Sequence, residues 1–329
     1  GDGEMYEPGP YLNLLNQINA KQSIERDRYG DGGAVEALEK KMEAITGKEK
    51  AVFMPSGTMA NQLAIDVLSG NNTKDAAQSV FGKRLMPLAK GEPYFTAAAL
   101  KKAIDSLSEE EVFKSGIGAV SIENPVRRAD GKMVPIEEIK KISEYCRANN
   151  IKLHMDGARV FLASAWSGVS VKEYASYFDT FYISLYKYFG AAAGAILCGD
   201  TTTMQKIPHL VKIHGGSMYS NWPNSSMALH RMEGFEERLK NAIIQSKEIF
   251  SALNQMGSIK INSLNDGTNI YELQLVNGID GTKLQTLLRE KYQVRIPRPD
   301  KNGKAFIMVN ETILYRDSAY IIDAFTKSI

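Results

Sequence analysis

Leu153-His154-Met155-Asp156-Gly157-Ala158-Arg159 opens as an apolar strand and ends on an acid, and Ser184-Leu185-Tyr186-Lys187-Tyr188-Phe189-Gly190 follows a second strand and presents an amine. The strand Ile151–Met155 runs into Asp156, a helix occupies the stretch around Val171–Tyr177, and the strand Thr180–Ser184 leads to Lys187. Strand, helix and strand in succession make the crossover that joins parallel strands. Ligands of an open α/β sheet gather beyond the carboxyl ends of its strands, so this crossover delivers Asp156 and Lys187 to one rim. A structural ion bridge between the two is the plain alternative. His154 faces opposite to Met155 and reads as a core histidine with no assigned chemistry.

The alternation extends in both directions. Val35, Leu38, Met42 and Ile45 share one helical face, and Gly47 suits the C-terminal stop. Ala51–Met54 is a short apolar strand, after which Pro55-Ser56-Gly57-Thr58 turns into a helix reaching about Leu68. Ala119–Ile122 reads as a strand, Pro135 opens a helix carrying Ile139, Ile142 and Tyr145, and Ala193–Cys198 is the last strand of this region. A mostly parallel sheet covered by helices is expected.

After Ala228 the character changes. A charged helix from Leu229 to Met256 leads to a half-exposed strand at Asn269–Val276, a helix at Gly281–Lys291, a strand at Phe306–Asn310 and a terminal helix. This pattern suits a smaller α+β domain. Residues 1–12, rich in Gly and Pro, read as an irregular arm. The expected division is an N-terminal arm over 1–27, a large domain over 28–230 and a small C-terminal domain over 231–329. One place resists the pattern. Between Ser69 and Gln78 the alternation requires a buried strand that the sequence lacks, and a missing piece of chain between two consecutive numbers in Asn71–Gln78 is the favoured explanation.

The 329 residues are 43% hydrophobic and 24% charged, which excludes a disordered chain and leaves room for a large core. Lys and Arg number 40 against 38 Asp and Glu, so no basic stripe points to nucleic acid. No apolar run is long enough to span a bilayer, and no signal peptide is visible, although the start at Gly1 leaves a removed leader open. The two cysteines, Cys146 and Cys198, cannot make a disulfide framework and read as reduced thiols. A soluble, cytoplasmic protein is expected. No residue set is assigned to a metal.

A third element joins the acid and the amine. Ser56-Gly57-Thr58 lies between a strand and a helix, where free N–H groups and the helix dipole favour an anion. Gly57 permits close backbone approach, and Ser56 or Thr58 can add a hydroxyl; the same triplet is also a good N-cap. Amine, carboxylate and phosphate cradle together match the needs of pyridoxal 5'-phosphate. The amine condenses with the aldehyde, the acid keeps the ring nitrogen protonated, and the helix mouth holds the phosphate.

At this point the chain resembles the fold-type-I pyridoxal-phosphate enzymes of the threonine aldolase and β-eliminating lyase family. The likeness rests on Arg28-Tyr29-Gly30-Asp31-Gly32-Gly33, Phe53 through Asn61, Ile122-Glu123-Asn124, Leu153 through Arg159 and Ser184 through Gly190, in family order over roughly residues 28–200. It implies a large domain with a mostly parallel sheet of the seven-stranded type. Residue by residue, it implies Lys187 as the covalent attachment point and Asp156 as the partner of the pyridine nitrogen. Gly57 and Thr58 would hold the phosphate, Arg159 would serve the ring hydroxyl and the substrate carboxylate, and Asn124 would lie close to the cofactor. Two plain alternatives stay open: Arg159 pairs with a surface acid or caps a helix, and Asn124 satisfies backbone at a strand end.

Three departures from the family pattern stand out. A histidine normally follows the Glu-Asn pair, but here Glu123-Asn124 continues as Pro125-Val126-Arg127-Arg128. The family's histidine-bearing loop, which stacks on the ring, belongs where Lys74 and Asp75 abut. The C-terminal arginine for the substrate carboxylate has no clear counterpart, leaving Lys304, Arg295, Arg298 and Arg316 as candidates. His214-Gly215-Gly216-Ser217-Met218 resembles the family's glycine-rich turn, with a part in a neighbouring subunit's site or none; Tyr186 and Tyr188 read as core or wall.

The implied activity is cleavage of the Cα–Cβ bond of a β-hydroxy-α-amino acid such as threonine or allo-threonine, giving glycine and an aldehyde. β-Elimination and transamination are the rivals within enzymes, and a cofactor-dead scaffold is the rival outside them. A Rossmann dehydrogenase is disfavoured, because no GxGxxG opens a helix after a strand. The resemblance also implies a homodimer or homotetramer.

Overall fold

The computed structural model describes residues 2–70, 85–110, 117–276 and 278–329. The stretch Asn71–Gln78, where a break in the chain is expected, lies outside the described residues. Strands β1 (Lys50–Met54), β2 (Ala119–Glu123), β3 (Lys152–Asp156), β4 (Thr180–Ser184) and β5 (Ala195–Gly199) form one sheet in the order β1-β5-β4-β3-β2. β2, β3 and β4 run parallel, with Glu123 opposite Asp156 and Asp156 opposite Tyr182. β5 runs antiparallel to both β4 and β1, so the sheet is mixed. The chain between Ser184 and Ala195 is too short for a parallel crossover; it reverses through Gly190 (φ 66°) and Gly194 (φ 106°), and the Leu185 N–H donates to the Gly194 carbonyl.

Periodicity explains the flanking helices. Gly33–Thr46 buries Val35, Leu38 and Met42 and stops at Gly47 in the left-handed region (φ 67°), as its spacing requires. Every residue of β4 and of β5 is buried, which suits strands covered on both faces. Because β1 and β4 both run against β5, the carboxyl ends of β1, β3 and β4 open on one rim.

Four expectations need correction. The sheet is mixed rather than mostly parallel, because the connection ahead of β5 is too short for the crossover a parallel strand needs and β5 runs against both its neighbours. Residues 8–12 are not irregular, because a helix begins at Pro8 and runs to Lys21. Proline in the first turn lacks only an N–H that has no intrahelical acceptor there, so it starts a helix as readily as it breaks one. The charged helix expected from Leu229 to Met256 is two helices, Trp222–Met232 and Phe235–Gln255, separated by Gly234 at φ 63°. A strand β6 (Ile259–Ser263) was not anticipated, since its alternation rests on Ile259 and Ile261 alone. It pairs with β7 (Ile270–Leu275), which pairs with β8 (Lys304–Met308) in an antiparallel sheet.

Helix Phe235–Gln255 serves two cores. Phe235 and Leu239 join the large core around Phe161, Tyr188 and Phe189, whereas Ala242, Ile249 and Leu253 pack with Ile261, Leu273 and Ile307. Among the described residues no helix is long and apolar enough to cross a membrane.

Candidate active site

Lys187 follows β4 and stands over its own strand's Tyr182, with Nζ 5.9 Å from that ring centroid and 5.9 Å from the ring of Tyr186. Burial pushes the Lys187 ammonium below the usual lysine range, and Arg159 adds to the effect; Asp156, Asp2 and Glu123 oppose it. An amine depressed in this way is uncharged, and therefore nucleophilic, at lower pH than a surface lysine. The structural ion bridge that the sequence left open is absent from the recorded ion pairs of the described residues.

Asp156 ends β3 on the same rim. Its Oδ1 accepts the Ala158 N–H at 3.1 Å, and its Oδ2 accepts Nδ2 of Asn61 at 2.7 Å. Asn61 lies one turn into helix Gly57–Ser69. Its Oδ1 is 2.9 Å from Nε2 of His154, whose Nδ1 is 2.8 Å from Oγ1 of Thr180. His154 is fully buried, as a core histidine should be, yet it also backs the acid. The sequence pattern by itself assigns no role to Asn61 or His154. The available signal was spacing: His154 and Asp156 are i and i+2 on one strand, so they share a face.

The helix mouth completes the rim. Ser56 is the N-cap, its hydroxyl accepting the Met59 N–H at 3.2 Å. The first N–H groups of a helix have no intrahelical acceptor, so those of Gly57 and Thr58 are available to an anion. Gly57 is required for a reason sequence did not show: a Cβ there would lie 1.8 Å from the Tyr182 hydroxyl oxygen. Gly57→Ala is therefore expected to displace the helix mouth, lower stability by about 1–3 kcal/mol and weaken phosphate binding. Thermal melts together with inorganic-phosphate titration check this, and an unchanged melt would refute the packing argument.

Arg159 is held by the N-terminal arm. Its Nε donates to Asp2 Oδ2 at 2.8 Å, with both side chains largely buried. Gly3 sits so close to Tyr188 that a Cβ would lie 2.7 Å from that residue's Cα. Glu4 contacts the Tyr315 hydroxyl and lies 3.5 Å from Arg231, whose guanidinium is 5.6 Å from the ring centroid of Tyr6. Arg231 and Arg238 both pair with the buried Glu311. The arm thus joins Arg159 to Arg231, Glu311 and Tyr315, and the acid partner of Arg159 lies in the site rather than on an open surface. The two charges act on Lys187 with opposite sign. Arg159→Met should raise the pH at which the Lys187 amine becomes uncharged, and Asp2→Asn should lower it. The pH dependence of aldehyde-cofactor binding reads both, and shifts in one common direction would overturn the assignment.

Asn124 is buried, its Oδ1 accepting the Val134 N–H at 2.9 Å and its own N–H donating to the Asp156 carbonyl at 3.0 Å. Glu123 ends β2, and burial raises its carboxyl above the usual range. Val126 precedes the short turn Arg127–Ala129, its N–H donating to Lys132. Tyr188 is core, stacked against Phe235 at 5.5 Å, whereas Tyr186 is 42% exposed and forms wall. Gly216, in the glycine-rich turn, packs on Met59 of the helix mouth. Of the C-terminal cations, Lys304 pairs with Glu272 at 2.6 Å, and Arg295 and Arg316 line an apolar cavity of about 420 Å³ beside Ile261 and Ile307 of the three-stranded sheet.

The donor set fits pyridoxal phosphate: a depressed amine, an ionisable acid fixed by two hydrogen bonds, and a capped helix with open N–H groups. The protein binds this cofactor.

The sequence matches the beta-eliminating lyase family over residues 13–275. A low-specificity L-threonine aldolase of Candida albicans is 32% identical over 275 residues, covering 79% of this chain and 72% of that protein. An alanine racemase of Cochliobolus carbonum is 29% identical over 223 residues, covering 64% of this chain and 56% of its own. A Listeria monocytogenes crystal structure provisionally assigned as an L-allo-threonine aldolase shares the fold, with TM-score 0.79 and 23% identity, covering 100% of this chain and 96% of that one.

Proposed function

This chain belongs to the beta-eliminating lyase family, and we propose that within it the protein cleaves the Cα–Cβ bond of threonine and allo-threonine to give glycine and acetaldehyde. The observation that carries the proposal is the convergence of Lys187, Asp156 and Arg159 on the rim formed by helix Gly57–Ser69. When bound, pyridoxal phosphate supplies the sink for the electron pair left at the substrate Cα. The chain supplies the rest. Lys187 offers an amine whose burial, with Arg159 nearby, eases loss of the proton before attachment. Asp156, held by Asn61 and the Ala158 N–H, presents a carboxylate to the ring nitrogen. Gly57 and Thr58 direct N–H groups at the phosphate, with Ser56 fixing the turn that aims them. Arg159 is oriented through Nε by Asp2, which leaves its two Nη groups to grip the substrate carboxylate. Asn124 steadies the end of β3 through its main-chain bond to Asp156.

Product analysis tests the reading. The loaded enzyme, given L-threonine or L-allo-threonine, is expected to release glycine and acetaldehyde in equal amounts. A keto acid and ammonia would identify β-elimination, a keto acid without ammonia transamination, and D-alanine from L-alanine racemisation; any of these as the main activity overturns the proposal.

The same reading includes an arm over 1–27, domains over 28–230 and 231–329, and a sheet of the seven-stranded type. It also includes a homodimer or homotetramer in the cytoplasm. Two observations support it. Tyr29, 62% exposed, is held rigid by an N–H bond to the Tyr219 carbonyl and an edge contact with that ring, as suits an interface residue. Cys146 and Cys198 are free and buried, as in a reducing compartment.

A further inference from the structure

Hydrogen-bond polarity around Asp156 is determined by the donors and acceptors present. A carboxylate oxygen only accepts when ionised, so the Asn61 atom 2.7 Å from Asp156 Oδ2 is the amide nitrogen. Its other end, Oδ1, then faces His154 Nε2 at 2.9 Å and can only accept, so Nε2 carries a hydrogen. Burial holds the His154 pKa well below the usual histidine range, so the ring is neutral and Nδ1 bears no proton. Nδ1 therefore accepts from the Thr180 hydroxyl, 2.8 Å away. Every donor in the chain Thr180, His154, Asn61 points toward the acid.

We propose that Asn61 is a positioning residue for Asp156, locked in one amide orientation by His154 and Thr180, and that this one-way chain fixes the orientation of the acid toward the cofactor; the inference rests on the cofactor reading above. Flipping the amide would set an N–H against a ring N–H and an oxygen against a carboxylate, two repulsive contacts in a buried setting. The spacer matters as much as the bond. An amide transmits a hydrogen bond but cannot hand over a proton, so His154 steadies Asp156 without exchanging protons with it.

Two readouts test the proposal. In the cofactor-free protein labelled with ¹⁵N-histidine, His154 (identified by its loss in His154→Gln) should show the neutral Nε2–H tautomer from pH 6 to 8; an Nδ1–H tautomer or an imidazolium would overturn it. In the loaded enzyme, Asn61→Ala should lower kcat at least about tenfold, leave KM for the amino acid within about twofold and move the pH midpoint of the visible absorption. His154→Ala should also lower kcat, and His154→Gln, whose amide can still donate to Asn61, should recover part of that loss; equal losses in the two variants would overturn the lock. Wild-type kcat and an unmoved midpoint in Asn61→Ala would overturn the role. A wild-type protein that never develops cofactor absorption would sink the cofactor reading instead, a result the tautomer measurement does not share.

Discussion

Lys187→Ala is expected to leave a folded, colourless protein whose turnover falls by at least about a thousandfold, as for removal of other covalent catalytic groups. The substitution sits at a half-buried position after β4, where it removes an amine that burial and Arg159 already disfavour as an ammonium. Loss of an amine whose charged form is disfavoured by burial costs the fold little, so melting should stay close to wild type. The readout is specific: borohydride should fix cofactor to the wild-type chain and not to the variant. A variant that keeps both colour and activity would remove Lys187 from the chemistry and leave a packed α/β scaffold.

The second large effect is expected at Asp156. Asp156→Asn should still bind the cofactor through Lys187 and remain coloured, yet kcat should drop by at least about a hundredfold, because a neutral amide cannot hold the ring nitrogen protonated. Colour without turnover separates the acid from the amine. Asp156→Ala should be worse behaved: it strips an acceptor from both Asn61 Nδ2 and the Ala158 N–H, and stability should fall by about 1–3 kcal/mol. Comparable kcat for wild type and Asp156→Asn would show that the acid is structural.

The placement of Asp156, Lys187 and Ser56 on one rim of this candidate site is legible in the sequence because these residues sit at strand ends and a helix start, where periodicity and capping chemistry are strongest. Asp156, Lys187 and Ser56-Gly57-Thr58 are local signals, each readable within a few residues. What sequence could not supply were the contacts between distant segments. Asn61 meets Asp156, Asp2 meets Arg159, and Tyr182 crowds Gly57, all through folding rather than spacing. The direction of β5 was missed for a related reason. A buried strand reads as a continuous apolar run whichever way it points, and only the short connection carrying Gly190 and Gly194 betrays the reversal. The break at Gly234 was hidden because the charged pattern on either side continues in helical period.

Helix Phe235–Gln255 bears on how far the molecule can be dissected. Cutting ahead of it strips Phe235 and Leu239 from the aromatic packing around Tyr188, and cutting behind it strands Ala242, Ile249 and Leu253 without their partners. Neither half is a self-sufficient module, so transplanting the C-terminal portion of a relative to change substrate range must carry this helix as a hybrid, its front end native to one parent and its back end to the other.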